Sequence, residues 1–244
     1  ISNELCKAWY SFVLQHKDTK SYAHFDKRVS LDLPSVRDYV LNTQKISKHS
    51  FYPFIHFTKK QSKYDGKESR VKPRELYYCC HLDRCVYQRY AFLLNQAYNA
   101  HLQQIGLNEI AIAYRDNLGK NNIDFAGEAF NAIKSLDNCL IFVGDFTNFF
   151  DELDHGYLKE RLLELLNEKS LPSDYYAVFK NITRFSSWDW KLLIEHGGHN
   201  ITDRRLRKII NGKETIINKQ VFEANKSNIV KHTKIATWVI DLWI

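Results

Sequence analysis

The sequence predicts an α+β fold, and three observations carry that expectation. Apolar residues recur at helical spacing in several segments. Residues 51–76 read as a strand, a turn at Asp65-Gly66 and a second strand. The apolar run in "CLIFVGDF" leads straight into a carboxylate, Asp145, in the manner of a buried strand.

Taken in order, "SNELCKAWYSFVLQHK" places Leu5, Trp9, Phe12, Val13 and His16 on one helical face behind a Ser or Asn cap. "SLDLPSVRDYVLN" starts a helix at Pro34, whose missing N–H costs nothing in a first turn, with Val36, Tyr39 and Val40 inward. "FYPFIHFTKKQSKYDGKESRVKPREL" supplies a strand, a basic loop and a short second strand. "HLDRCVYQRYAFLLNQAYNAHLQQIG" is the strongest helix of the first half. Val86, Tyr90, Leu93, Leu94, Ala97 and Tyr98 repeat helically and Gly106 is its stop. That stripe reads as core rather than as a base-stacking platform.

"EIAIAYRDNLGKNNID" is a short apolar run ending in a polar loop, and "FAGEAFNAIKSL" follows as a helix. "HGYLKERLLELLNEK" is an amphipathic helix with Asp154 near its N-terminus, where an acid complements the dipole. Beyond it, "RFSSWDWKLLIEHGGHNITDRRLRKIINGKETIINKQVF" suggests helices, a Gly-Gly turn and a polar hairpin around Asn211-Gly212. No repeat or linker marks a clean domain boundary.

A chain of 244 residues, 44% hydrophobic and 26% charged, is long enough to bury a real core and ordinary for a globular protein. No apolar run approaches the roughly 18–20 residues that cross a bilayer, and no signal-peptide pattern opens the chain. The expectation is therefore a cytoplasmic protein without a membrane partner. The chain begins at Ile1 and contains no methionine, which fits a piece of a longer reading frame.

The net charge of +7 is unevenly spread. Residues 1–75 hold 15 Lys and Arg against 8 Asp and Glu, residues 76–190 hold 10 against 15, and residues 191–244 hold 10 against 5. Basic flanks attract phosphate backbones, and an acidic middle suits divalent cations. Lys59, Lys60, Lys63, Lys67, Arg70, Lys72 and Arg74 fall on one hairpin-like element behind aromatic residues. Contact with nucleic acid or a triphosphate is one reading of them, and an ordinary solvated loop is the other.

Five cysteines, an odd number, do not make a disulfide framework. Cys79, Cys80, His81 and Cys85 invite a zinc reading, but no second cluster completes a tetrahedral set. Small half-buried residues on a helix are the preferred interpretation.

The stretch "IFVGDFTNFFDELDH" demands a chemical explanation. A carboxylate closing a buried strand is either a turn former or a metal ligand presented in a cleft. Phosphoryl transfer needs such ligands, because two Mg²⁺ ions about 4 Å apart clamp the attacking and leaving oxygens. One acid cannot hold both ions, and Asp151 and Asp154 read as surface, capping or helix-starting residues. A haloacid-dehalogenase-type phosphatase would want a second Asp where Thr147 stands. No elbow glycines surround a Ser or Cys, and "DNLGKNN" lacks the phosphate-loop frame.

"DFTNFFDELDHGYLKERL" resembles the first palm motif of reverse transcriptases of the retron, group II intron and bacterial phage-defence kinds, nearest the abortive-infection type. Asp145, Phe150, Asp151, Leu153, Asp154 and His155 match that motif in order and spacing. "KPRELYYCCHLDRCVYQRYAFLLNQAYN" and "AYRDNLGKNNIDFAGEAFNAI" resemble the fingers segments that precede it. The resemblance spans about residues 60 to 165. It implies a right-hand polymerase fold, with fingers over 1–135 and a partial palm with interleaved fingers helices over 136–244. It implies RNA-directed DNA synthesis in phage defence, with an RNA or DNA template-primer, dNTPs and Mg²⁺ or Mn²⁺ as partners. A homo-oligomer is compatible with it.

By the same resemblance Asp145 is a catalytic metal ligand, and Phe146 offers its main-chain carbonyl to the second ion. Phe150 is the steric gate that rejects a 2′-hydroxyl. Arg115 and Lys120, with Lys72 and Arg74 behind them, hold the incoming triphosphate, which needs cations an acidic palm cannot supply. The chain departs from the family where the Gly-Pro-Gln-Gly-like motif and the aromatic-x-Asp-Asp hairpin are due: neither occurs, and Asp241 alone cannot replace an Asp-Asp pair. The 244 residues by themselves are therefore expected not to polymerise. Two alternatives stay open: a nucleic-acid- or partner-binding module that keeps a polymerase fold without catalysis, and untemplated synthesis primed on a protein side chain.

Overall fold

Helices α1 (Asn3–Gln15) and α2 (Pro34–Leu41) and the single turn α3 (Thr43–Ile46) lead into paired strands β1 (Phe54–Tyr64) and β2 (Ser69–Tyr78). The long α4 (His81–Gln104) follows, then α5 (Asn122–Lys134), the short α6 (Phe149–Glu152), α7 (His155–Leu166) and α8 (Ser173–Thr183). The chain continues through β3 (Ser186–Asp189), α9 (Trp190–His196), α10 (Arg204–Ile210), α11 (Lys219–Ala224) and β4 (Val230–Lys231). This computed structural model describes residues 3–15, 20–64, 66–146, 149–198 and 204–235, without the side chains of Asn3, Glu4, Lys63, Arg70, Lys72 and Phe150. The protein is α+β, as its sequence predicts.

The strands form one mixed sheet in the order β2-β1-β3-β4. β1 runs antiparallel to β2 and parallel to β3, and β4 closes antiparallel on β3. Successive residues of a strand face opposite sides, and the base of β1 uses this to divide two cores. Phe54 joins Trp9, Val13, Val36, Val40, Ile46 and the inner stripe of α4. Its neighbour Ile55 joins Ala23, Phe25, Trp188, Leu193 and Ile209. Both clusters draw on residues from either side of position 135.

α1 and α2 bury the faces their spacing indicates: Trp9 and Val13 in one, Val36 and Val40 in the other. α4 carries charge inward too. Arg89 lies 4.9 Å from the Trp9 ring centroid. Asp83 accepts from Tyr52 N at 2.9 Å and bonds His49 Nε2 at 2.7 Å, while Tyr39 Oη bonds His49 Nδ1 at 2.7 Å. α4, α7 and α8 together line an apolar cleft of about 480 Å³, among its residues Tyr90, Leu94, Leu158, Leu162 and Phe179.

Three local expectations need correction. Residues 139–146 form no strand and are exposed throughout, with Phe142 at 88% and Val143 at 93%. A strand requires a neighbour to take its backbone ladder, and none of the described strands pairs with this run. "SSWD", read within a helical stretch, is β3, because Trp188 fills the gap beside Ile55. Asn211-Gly212 ends α10 rather than turning a hairpin. Gly212 has φ 66, and a Cβ there would sit 2.9 Å from Arg28 Cβ. Its carbonyl accepts from Arg28 N at 2.7 Å.

Candidate functional site

Among the described residues, the β1–β2 hairpin joins the rest of the sheet at its base, where Phe54 to His56 pair with Ser187 to Asp189. From Phe57 outward every described side chain of β1 is exposed. The basic residues expected in a loop are ladder residues instead. Lys59 faces Arg74, Gln61 faces Lys72 and Lys63 faces Arg70. Directly opposite residues of an antiparallel pair share a face, so the register puts the Lys59 and Arg74 side chains on one face of the hairpin. Like charges set opposite one another repel, a cost that a bound polyanion relieves. Pro73, which has no N–H to donate, sits on the edge strand β2 and blunts further pairing there.

The other face is sorted to the opposite sign near the base. Glu75 accepts from Thr58 Oγ1 at 2.9 Å and bonds His56, and His56 Nδ1 lies 3.4 Å from Asp189. The bond from His56 holds the Glu75 carboxyl below its ordinary range.

The segment matching the palm motif meets the sheet on this second face. Asp151 in α6 pairs with Lys234 at 3.3 Å, and Lys234 Nζ lies 5.9 Å from the Tyr77 ring centroid. Asp154 caps α7, accepting from Tyr157 N at 2.6 Å, the role its position indicates. Asp145 is exposed at the end of the irregular run, so the cleft expected around it is not formed by the described residues. Phe146 is 80% exposed, with its ring 5.9 Å from that of Phe149. The Phe150 and Lys72 side chains lie outside the described residues.

The two cations expected to grip a triphosphate are committed elsewhere. Arg115 donates through Nε to Asn99 Oδ1 at 2.8 Å, through Nη1 to the carbonyls of Asn108 and Ala111, and through Nη2 to Asn108 Oδ1 at 2.7 Å. It holds the turn after α4 together. Lys120 pairs with Glu128 at 2.5 Å, which raises the lysine above its ordinary value. Arg74 is exposed on the basic face of the hairpin.

The cysteine-rich junction between β2 and α4 is more buried than its sequence suggests. Cys79, Cys80 and Cys85 are all at 1% exposure or less, and Cys80 Sγ caps α4 by accepting from Asp83 N. Burial pushes the Cys79 and Cys80 thiols well up. His81 Nδ1 bonds Asp26 Oδ1 at 2.8 Å, and its ring stacks on Tyr22 at 4.2 Å. Burial holds His24 down at about 3, so it is a neutral imidazole. Sequence reasoning missed His24 and Asp26, because 55 residues separate Asp26 from His81 and no local spacing signals the contact.

No helix among the described residues is long and apolar enough to cross a membrane. No protein-family model matches the chain, and a search of curated proteins finds no match.

Proposed function

We propose that the chain is the nucleic-acid-gripping fingers and first palm segment of a reverse-transcriptase-like DNA polymerase serving bacterial phage defence. The ordered match from Asp145 through Phe150, Asp151 and Leu153 to His155 motivates the reading, and one structural observation carries it. The register of β1 and β2 sets Lys59 directly opposite Arg74, both exposed, on a single face. Side chains directly opposite across a ladder stand about 5 Å apart at their bases. Such a pair of cations can take up a single strand's phosphates and makes binding salt-dependent. Chemistry is a separate demand. Asp145 contributes one carboxylate toward Mg²⁺ or Mn²⁺, and two-metal transfer from a dNTP needs at least one more from a further segment or partner.

A second reading is favoured by the exposure of Asp145 and by the engagement of Arg115 and Lys120: a binding module on a polymerase-like scaffold that does no chemistry. Two assays separate these. The 244-residue chain is expected to bind a labelled single-stranded oligonucleotide yet not extend a primed template with Mg²⁺; extension would overturn the incomplete-site reading. In a longer form that does synthesise DNA, Asp145→Asn abolishes synthesis and spares binding. Synthesis that survives Asp145→Asn would end the polymerase reading.

A further inference from the structure

Three donors of different chemistry converge where β2 hands over to α4. A ring nitrogen of His24, a carboxylate oxygen of Asp26 and the Cys80 sulfur all lie within 4.8 Å of one another. His24 is wholly buried and Cys80 is 1% exposed. The His24 ring is oriented by its Nε2, which lies 3.3 Å from the Tyr78 carbonyl oxygen. A carbonyl can only accept, so Nε2 carries the proton and Nδ1 the lone pair. That Nδ1 is buried and meets no hydrogen-bond partner among the described residues. A fold seldom leaves a buried acceptor idle.

Asp26 is held as an outer shell holds a metal-binding carboxylate. Oδ1 accepts from His81 N at 3.1 Å and bonds His81 Nδ1 at 2.8 Å, while Oδ2 accepts from Leu82 N at 2.9 Å. We propose that His24, Asp26 and Cys80 bind one zinc ion, which staples residues 20–26 to the start of α4. A mixed nitrogen, oxygen and sulfur set suits Zn²⁺, whereas Mg²⁺ and Ca²⁺ take oxygen alone. Three protein donors leave a fourth position open to water or a small ligand. The site uses none of the residues matched to the palm motif and does not depend on the polymerase reading.

The test uses the full chain, stripped with a chelator and titrated with Zn²⁺ against a chromophoric competitor, then with Co²⁺ as a spectroscopic stand-in. One equivalent of zinc is expected to bind and raise the thermal midpoint, and Co²⁺ is expected to give a thiolate-to-metal band in the near ultraviolet. Cys80→Ser keeps an oxygen to cap α4 but loses that band and weakens zinc by at least about a hundredfold, more than outer-shell changes typically do. His24→Gln weakens zinc as strongly while keeping the ring's volume nearly filled, so the idea survives a Cys80→Ser variant that fails to fold. Cys139→Ser, at an exposed thiol, changes neither readout. Failure of the Cys139→Ser protein to bind zinc stoichiometrically overturns the proposal. So does undiminished zinc affinity in His24→Gln or Cys80→Ser.

Discussion

α4 and α5 begin from similar sequence logic and end in opposite environments. Each is a capped amphipathic helix: Cys80 caps α4, and α5 has a full capping box between Asn121 and Asp124. α4 buries Asp83, Arg84 and Arg89 along with its apolar stripe, whereas α5 buries nothing, leaving Ile123 at 81% and Phe130 at 64% exposure. Helical period and caps mark where each helix begins and ends, and long-range partners decide whether its apolar face is covered. The same contrast separates the base of β1, packed between two cores, from the apolar run 139–146, which meets water.

The sharpest break would come from truncating one aromatic in each environment. Trp188→Ala removes a fully buried ring and is expected to cost about 3–5 kcal/mol in urea unfolding. Phe130→Ala should cost less than about 0.5 kcal/mol; equal losses would mean α5 packs against something in solution. Arg115→Ala comes next, at about 2 kcal/mol for its charged hydrogen bonds. The loss should appear as faster hydrogen exchange around residues 105–116, with the cores untouched. Asn121→Ala removes the α5 cap at about 1 kcal/mol, read as faster exchange over α5 without a shift in global unfolding.

The smallest effect is a pH dependence at the sheet edge. His232 stacks on Phe185 at 4.5 Å and bonds Ser187 Oγ at 2.8 Å. Burial, helped by Lys234 and His56, holds its ring below the ordinary histidine value. Below pH 6.5 the unfolded chain therefore takes up a proton that the folded ring refuses, down to its lowered folded pKa. Stability is expected to fall as pH drops through that window. Subtracting the same acid titration of His232→Gln isolates the contribution, and identical profiles would remove it.

Much of the packed body was legible. Pro34 marks the start of α2, the α4 stripe is core through Val86, Tyr90 and Leu93, and Gly106 takes the positive φ of 72 expected of a stop. These rest on period and local turn chemistry. The misread strands turn on non-local partners. "CLIFVGDF" has a strand's composition, but a strand exists only beside another strand, and composition does not name the neighbour. "SSWD" is too short to announce itself, yet Ile55 supplies its partner. Arg115 reads in sequence as part of a basic loop before a helix, and spacing alone does not show that its guanidinium bonds Asn99 and Asn108. The basic residues of the hairpin were visible as a cluster; only the register revealed that Lys59 and Arg74 share a face.

The hairpin's role is most directly tested by titrating a labelled single-stranded oligonucleotide across a salt series, comparing wild type with Lys59→Ala/Arg74→Ala. If the basic face grips the phosphates, the double variant binds more weakly at low salt. Its plot of log affinity against log salt also flattens by about 1.4, roughly 0.7 for each cation removed. Unchanged affinity and slope would show that nucleic acid, if bound at all, does not touch this face.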